Sequence, residues 1–325
     1  MIVEDILYGS FEVEEVLAVL ISSQEVQRLK DVHMAGPAFL INPSWNETRY
    51  EHSIGVMLLV KKLGGTVEEQ IAGLLHDVSH TAFSHVIDLV LSNKADDYHE
   101  QIKKEFIEQS TIPELLEQYG FDYQQILFDD EQWRLLEQKA PLLCCDRIDY
   151  TLREVHRYFS VPLQEIHDFL KAIKIMNDQI VLESVAWAVW FVDQYQKVVL
   201  DFFYDPRNIC SYEWMAKAIQ LGLSNGEITM TDLLLTDAPF LQKLRSTRST
   251  EINFLLAKIQ NPPKYSVCSS EDEYDIEQKK KIRFVDPLVR LSDEIVSVSA
   301  ISKSAQLKID RVLEESQKGI YIKYD

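Results

Sequence analysis

The stretch AGLLHDVSHTAFSH, from Ala72 to His85, gathers three of the chain's eight histidines and one aspartate among residues that are otherwise apolar or small. One histidine in such a setting reads first as a satisfied core residue. A His76-Asp77 pair with His80 and His85 close behind reads differently, because a carboxylate beside core residues is costly unless something pairs with it. A divalent metal ion is the economical partner. On a helix running from Ala72 to His80, His76 and His80 stand four apart and share a face, with Asp77 about 100° round from His76.

A metal needs further ligands, and two stand elsewhere in the chain. His52 lies in TRYEHSIGV and Asp146 in CCDRIDYTLRE, where Leu142, Leu143, Cys144 and Cys145 make a buried approach. Two imidazoles and two carboxylates form a mixed nitrogen and oxygen set, suited to Mn, Fe, Mg, Ni or Zn better than to Cu(I) or a thiolate-held zinc. Cys144 and Cys145 read as packing residues. Arg49 stands three before His52, Arg147 follows Asp146, and Tyr150 and Arg153 share the face of Asp146 on a helix. Guanidinium groups match phosphate oxygens, whereas any single arginine in a chain with 52 acidic residues also reads as a surface ion pair. A metal, several arginines and spare histidines together describe phosphoryl transfer or phosphoester hydrolysis.

The whole chain bounds this reading. Its 325 residues suffice for one large domain or two ordinary ones, and 46% hydrophobic content supports a real core. A formal net charge of -19 argues against general nucleic-acid or anionic-membrane binding, although a local basic pocket still admits a small anion. No apolar run reaches the length of a membrane span, and the acidic start lacks a signal peptide's basic region. Four cysteines without a CxxC pair suit a reducing, cytoplasmic setting.

Apolar spacing predicts a mainly helical fold: helices over Phe11–Val32, Glu51–Leu63, one from Thr66 through the motif to about Thr81, Phe83–Leu91, Tyr98–Gln109, Ile112–Tyr119, Trp133–Gln138 and Leu142–Arg157. Thr66 with Glu69 three residues on reads as a capping box. Asn177-Asp178 marks a hairpin. Helices follow over Ala186–Phe203, Tyr212–Leu221, Leu241–Ile259 and Ile301–Glu315, with strands in KKIRFVDPL and KGIYIKY. Trp187, Trp190, Phe191, Tyr195, Val198 and Phe202 fit helical spacing, so core or subunit interface is their expected role.

The order His52, His76-Asp77, Asp146 resembles the H…HD…D signature of the HD superfamily of metal-dependent phosphohydrolases. The surroundings narrow the resemblance to its deoxynucleoside triphosphate triphosphohydrolase branch, which includes the SAM-and-HD-domain enzymes. QRLKDVHMAGPAFLINPSWNETRYEHSIGV, LLHDVSHTAFSH, YHE at Tyr98–Glu100 and DRIDYTLRE follow that branch's segments in order over about residues 24 to 155, and KIRFVDPLV at Lys281–Val289 is a weaker echo. A soft boundary near residues 160–180 divides the chain into 1–165, which the resemblance makes a helical HD core, and a helical and α+β C-terminal region over 166–325. The resemblance implies a divalent ion (Mn, Mg, Fe, Ni, Co or Zn) held by His52, His76, Asp77 and Asp146. His80 and His99 fall where the family places histidines near the scissile phosphate, either being a candidate general acid, and His85 and Asp88 match the outer part of the motif. Arg49 and Arg147 match phosphate-binding residues, while Tyr150 and Glu154 match positions against the sugar. The implied reaction cuts at the α-phosphate of a nucleotide, releasing nucleoside and triphosphate, in a homo-oligomer. Two positions depart from the pattern: Glu154 replaces an aspartate, and Met34-Ala35-Gly36 stands where the branch has Gln-Leu-Gly. A phosphomonoesterase, a phosphodiesterase or a non-catalytic nucleotide-binding regulator are the alternatives.

Overall fold

A computed structural model describes residues 1–129, 132–270, 272–278, 281–292 and 294–324. The chain begins with a hairpin, β1 (Ile2–Asp5) and β2 (Gly9–Glu12), whose turn is closed by Asp5 accepting from the backbone N–H of Leu7 and Tyr8. The single helix expected over Phe11–Val32 is divided into α1 (Glu15–Ser22), α2 (Gln24–Arg28) and a short 3₁₀ turn. Ser23 makes the break: its backbone is extended and its hydroxyl caps α2 through Val26 N–H.

Then come α3 (Arg49–Lys62), opened by a full capping box between Thr48 and Glu51, and α4 (Val67–Leu75). Thr66 caps α4 as expected, but Glu69 does not close the box; its carboxylate accepts from Leu135 and Leu136 N–H instead. The helix stops at Leu75, so His76 ends it and residues 77–85 form turns, with Phe83 and Ser84 at φ of 59° and 52°. His80 therefore does not share a helix with His76.

Beyond the motif lie α5 (Val86–Val90), α6 (Tyr98–Glu108), α7 (Ile112–Gln118) and α8 (Tyr123–Leu127). No helix forms at Trp133–Gln138, where the Leu135 and Leu136 carbonyls accept from Cys145 and Asp146 N–H rather than from residues four further on, and the Glu69 carboxylate holds the two N–H groups of the same residues. Next are α9 (Cys145–Phe159), stopped by left-handed Ser160, and α10 (Leu163–Lys171). The expected hairpin pairs β3 (Ile173–Met176) with β4 (Gln179–Leu182) across Asn177 and Asp178, both at positive φ as a two-residue I′ turn requires. The long aromatic helix is α11 (Val185–Val198), continued by a π-helical turn Val199–Phe203.

In the C-terminal part α12 (Pro206–Ser224) precedes α13 (Asp237–Arg245) and α14 (Thr250–Gln260). These last two replace one expected helix, because the Ser249 side chain caps a new start. Strands β5 (Tyr265–Cys268), β6 (Ile276–Gln278), β7 (Leu288–Leu291) and β8 (Glu294–Ser297), helices α15 (Val298–Ile301) and α16 (Lys303–Lys318), and β9 (Ile320–Tyr324) complete the chain. The strand expected in KKIRFVDPL begins only at Leu288, where it joins β4 in parallel within a sheet of order β3-β4-β7-β8. A second sheet has the order β5-β9-β6.

The fold is thus mainly helical with a smaller α+β part, as the sequence suggests. One core packs Leu17, Met57, Leu74, Ile148 and Phe191 between α1, α3, α4, α9 and α11; it continues to Val289 and Val312. A second joins Phe83 and Ile87 to Trp214, Ile219 and Phe240. Among the described residues no helix is long and apolar enough to cross a membrane.

Candidate metal centre and active site

Helix α3, the end of α4 and the first turn of α9 meet at one point. His52 Nδ1 donates to Asp149 Oδ2 at 2.8 Å, and His76 Nδ1 donates to the Gly73 carbonyl at 2.8 Å. With Nδ1 protonated, each ring turns an unprotonated Nε2 inward, and the two Nε2 atoms lie 3.2 Å apart. Asp146 Oδ1 is 3.0 Å from His52 Nε2 and 3.7 Å from His76 Nε2; Asp77 Oδ2 is 3.8 and 3.5 Å from the same atoms. Two facing lone pairs flanked by two carboxylates repel one another unless a cation lies among them. His52, His76 and Asp146 each bring one donor atom within reach of a common ion, with Asp77 Oδ2 beside them against Arg49, and this mixed set fits a divalent ion. Burial alone would lower His52, but hydrogen bonds to Asp146 and Asp149 push its pKa up to about 10. Asp146 is correspondingly held below the usual carboxylate range by His52 and His76, against its burial.

Asp149, which the sequence reading passed over, fixes His52. It is fully buried and accepts from Arg153 (2.8 and 3.0 Å), from the Tyr8 hydroxyl (2.7 Å) and from His52. Arg153 also donates to Asp5 at 2.7 Å. The amino-terminal hairpin therefore belongs to the support of the site, and Arg153 lies a layer behind His52. A Cβ at Gly55 would fall 1.9 Å from Arg153 Nη2 and 2.1 Å from Asp149 Oδ1, so only glycine lets α3 approach this pair.

Arg49 is buried; it bonds Asp77 Oδ2 and donates from Nε to Ser84 Oγ at 2.9 Å. Burial would raise Asp77, yet Arg49 and its histidine neighbours hold it well below the ordinary range. Three imidazoles extend the site. His80 and His99 stack with centroids 3.9 Å apart, and His85 stands edge-on to both at 4.9 and 5.4 Å. His80 Nε2 approaches Asp77 Oδ1 at 3.2 Å without the angle of a hydrogen bond, and His99 Nδ1 is buried with no partner among the described residues. Burial, then the neighbouring cations, hold His80 well below its usual value and push His99 down to about 3. Asp88 orients His85 at 3.1 Å and also accepts from Asn93 and Tyr98 N–H.

The remaining candidates are placed differently. Arg147 donates to the Leu142 and Gln138 carbonyls and lies 3.3 Å from Glu137, which turns it into the loop before α9. Tyr150 donates to the Tyr195 hydroxyl at 3.0 Å and lies with its ring 6.4 Å from His52. Glu154 and Glu47, the latter not singled out from sequence, are buried acids with oxygens that lack hydrogen-bond partners among the described residues. Burial and mutual repulsion hold Glu154 far above the ordinary range, and burial pushes Glu47 up to about 8.

A family model described as the HD domain matches residues 49–154, the span that carries this geometry, and the chain belongs to the HD-domain family of metal-dependent phosphohydrolases. It is 46% identical to the uncharacterized protein YdhJ of Bacillus subtilis over 323 residues, 99% of each chain. It is 29% identical to the metal-dependent phosphohydrolase cns2 of Cordyceps militaris over 88% of this chain and 84% of that one. To human deoxynucleoside triphosphate triphosphohydrolase SAMHD1 it is 30% identical over 53% of its own length, spanning 35% of that protein. A crystal structure of a hypothetical protein from Aquifex aeolicus shares the fold, with a TM-score of 0.71 at 20% identity over 100% of this chain and 97% of that one.

Proposed function

We propose that the protein hydrolyses a phosphorylated small molecule, a nucleotide, most like a deoxynucleoside triphosphate cut to deoxynucleoside and triphosphate. The observation that carries the reading is the facing Nε2 pair of His52 and His76 between Asp77 and Asp146, with Arg49 and three further imidazoles beside it. The relatives named as phosphohydrolases support it.

His52, His76, Asp77 and Asp146 would hold the divalent ion. Such an ion supplies a Lewis acid for phosphoryl oxygens and lowers the pKa of a water. Arg49 is rigidly held by Ser84 and Asp77, so its charge faces the phosphoryl group with little reorganisation. His80 or His99, neutral at rest, takes up a proton from solvent as arriving phosphate charge raises its proton affinity, and gives that proton to the leaving oxygen, returning to the neutral form. His85, aimed by Asp88, binds phosphate or orients these two rings. Asp149, Arg153 and Tyr8 keep His52 in its metal-binding tautomer. Tyr150 and Glu154 face the sugar. One observation favours a second reading, a phosphomonoester or diester substrate: Arg147 is spent on loop carbonyls, leaving fewer cations for a triphosphate.

A product-resolved hydrolysis screen tests both. Protein reconstituted with Mn, Mg, Fe, Ni, Co or Zn is incubated with dNTPs, NTPs, monophosphates and a phosphodiester, with Asp77→Ala as control. Nucleoside plus triphosphate supports the first reading, and free phosphate from monophosphates supports the second. Metal binding without any turnover contradicts both and leaves a nucleotide-binding regulator.

A further inference from the structure

The echo KIRFVDPLV forms no strand over residues 281–287; it forms a strap across two loops of the site. At one end Lys281 Nζ donates to the Ala95 carbonyl at 3.2 Å, and Arg283 Nη2 stands 3.8 Å from Asp96 Oδ2, both on the loop leading to α6 and His99. At the other, Asp286 N–H donates to the Pro141 carbonyl at 2.9 Å, on the loop that holds Arg147 ahead of Asp146. Buried Val285 and the Asp286 carboxylate, which accepts from Ser299, anchor the middle.

Arg283 lies on this strap, beside the loop that leads to His99 and against the aromatic side chains that continue to Tyr150. Its guanidinium carbon is 5.8 Å from the Phe203 ring centroid, Phe203 is 6.4 Å from Tyr150, and Tyr150 is 6.4 Å from His52. Partial burial would depress Arg283, but Tyr150, Tyr195, Asp96 and Asp146 hold it above its ordinary value. Of the other guanidiniums here, Arg147 is spent on carbonyls and Arg153 on Asp149, while Arg49, held by Asp77 and Ser84, is the cation already assigned to the phosphoryl group. Arg283 alone among these four makes no hydrogen bond to the described residues, and its side chain remains 36% exposed. A fork of donors without acceptors, on an anchored segment beside a phosphoryl site, is matched to phosphate oxygens.

We propose that Arg283 is a substrate-binding residue, which closes the site from the C-terminal part by donating to the substrate's phosphoryl oxygens in exchange for its loose pairing with Asp96. The proposal rests on the phosphohydrolase reading. It accounts for the cation that Arg147 does not present, and it makes the C-terminal region part of the site.

The test is titration of the metal-loaded protein with inorganic phosphate, followed by calorimetry, for wild type, Arg283→Ala, Arg283→Lys and Asp96→Asn. Removing a charge-assisted hydrogen bond weakens phosphate binding about tenfold in Arg283→Ala, with partial recovery in Arg283→Lys. Asp96→Asn removes the competing acid and tightens binding, an opposite sign that a merely structural contact does not give; Asn also tolerates the positive φ of 56° at that position. Unchanged affinity in Arg283→Ala at wild-type melting temperature, or weaker binding in Asp96→Asn, overturns the proposal. Wild-type protein that neither binds phosphate nor hydrolyses any phosphoester overturns the phosphohydrolase reading itself, and the strap's role with it.

Discussion

Gly55→Ala adds one methyl group to the middle of α3 and tests how tightly the support of His52 is built. In an exposed helix this change is favourable by about 0.5–1 kcal/mol, since alanine loses less conformational freedom on folding. Here the new carbon would lie 1.9 Å from Arg153 Nη2 and 2.1 Å from Asp149 Oδ1. Neither side chain has room to yield: Arg153 is 4% and Asp149 0% exposed, and Tyr8, Asp5 and His52 pin them from other sides. Breaking a buried charge pair costs about 3–5 kcal/mol. Against the helix gain, the net loss is roughly 2–4 kcal/mol. The midpoint of chemical denaturation of metal-free protein reads this directly. Loss of the Asp149 contact also frees His52, so metal affinity falls about 10–100-fold. A Gly55→Ala protein as stable as wild type, with unchanged metal affinity, would refute the reasoning.

Tyr8→Phe removes one donor to Asp149 without changing shape, and is expected to cost about 1–3 kcal/mol in denaturation while weakening metal binding less than Gly55→Ala does. Metal binding near neutral pH must expel the proton that His52 holds with a pKa of about 10. The raised value means that protons compete below it, so apparent affinity rises with pH towards that point; calorimetry in buffers of different ionisation enthalpy should show proton release, and affinity independent of pH between 6 and 8 (roughly a hundredfold window for one competing proton) would contradict this. Glu69→Gln weakens the acceptor of two loop N–H groups, Leu135 and Leu136, and is expected to loosen the segment before α9, seen as faster amide exchange there with α4 unchanged.

Residue identity carried much of this site into the sequence. Imidazoles and carboxylates are conspicuous beside Leu74 and Leu75, and Thr66, Asn177 and Asp178 act through local chemistry, so their cap and turn were legible. What was not legible depends on partners far along the chain. The turn after His76 has no glycine to announce it. Phe83 adopts positive φ because its N–H donates to Asp237 Oδ1 at 2.7 Å and the neighbouring Ala82 N–H donates to the Leu233 carbonyl, both remote in sequence. Glu69 looked like a capping residue and serves a loop instead. Spacing along α9 brought Asp146, Tyr150 and Arg153 to one side but could not say that Arg153 would be claimed by Asp149 and Asp5, or Arg147 by loop carbonyls. The amino-terminal hairpin that supplies Tyr8 was hidden because its four-residue strands are too short for periodicity to show.

The central claim is that His52, His76, Asp77 and Asp146 hold one divalent ion. The most direct measurement is metal content per chain after reconstitution and gel filtration, by elemental analysis, for wild type, His76→Ala and Asp146→Asn, with His85→Ala beside them. The account predicts one tightly bound ion in wild type and in His85→Ala, and none retained in the other two at unchanged secondary structure. Full metal content in His76→Ala and Asp146→Asn would contradict it.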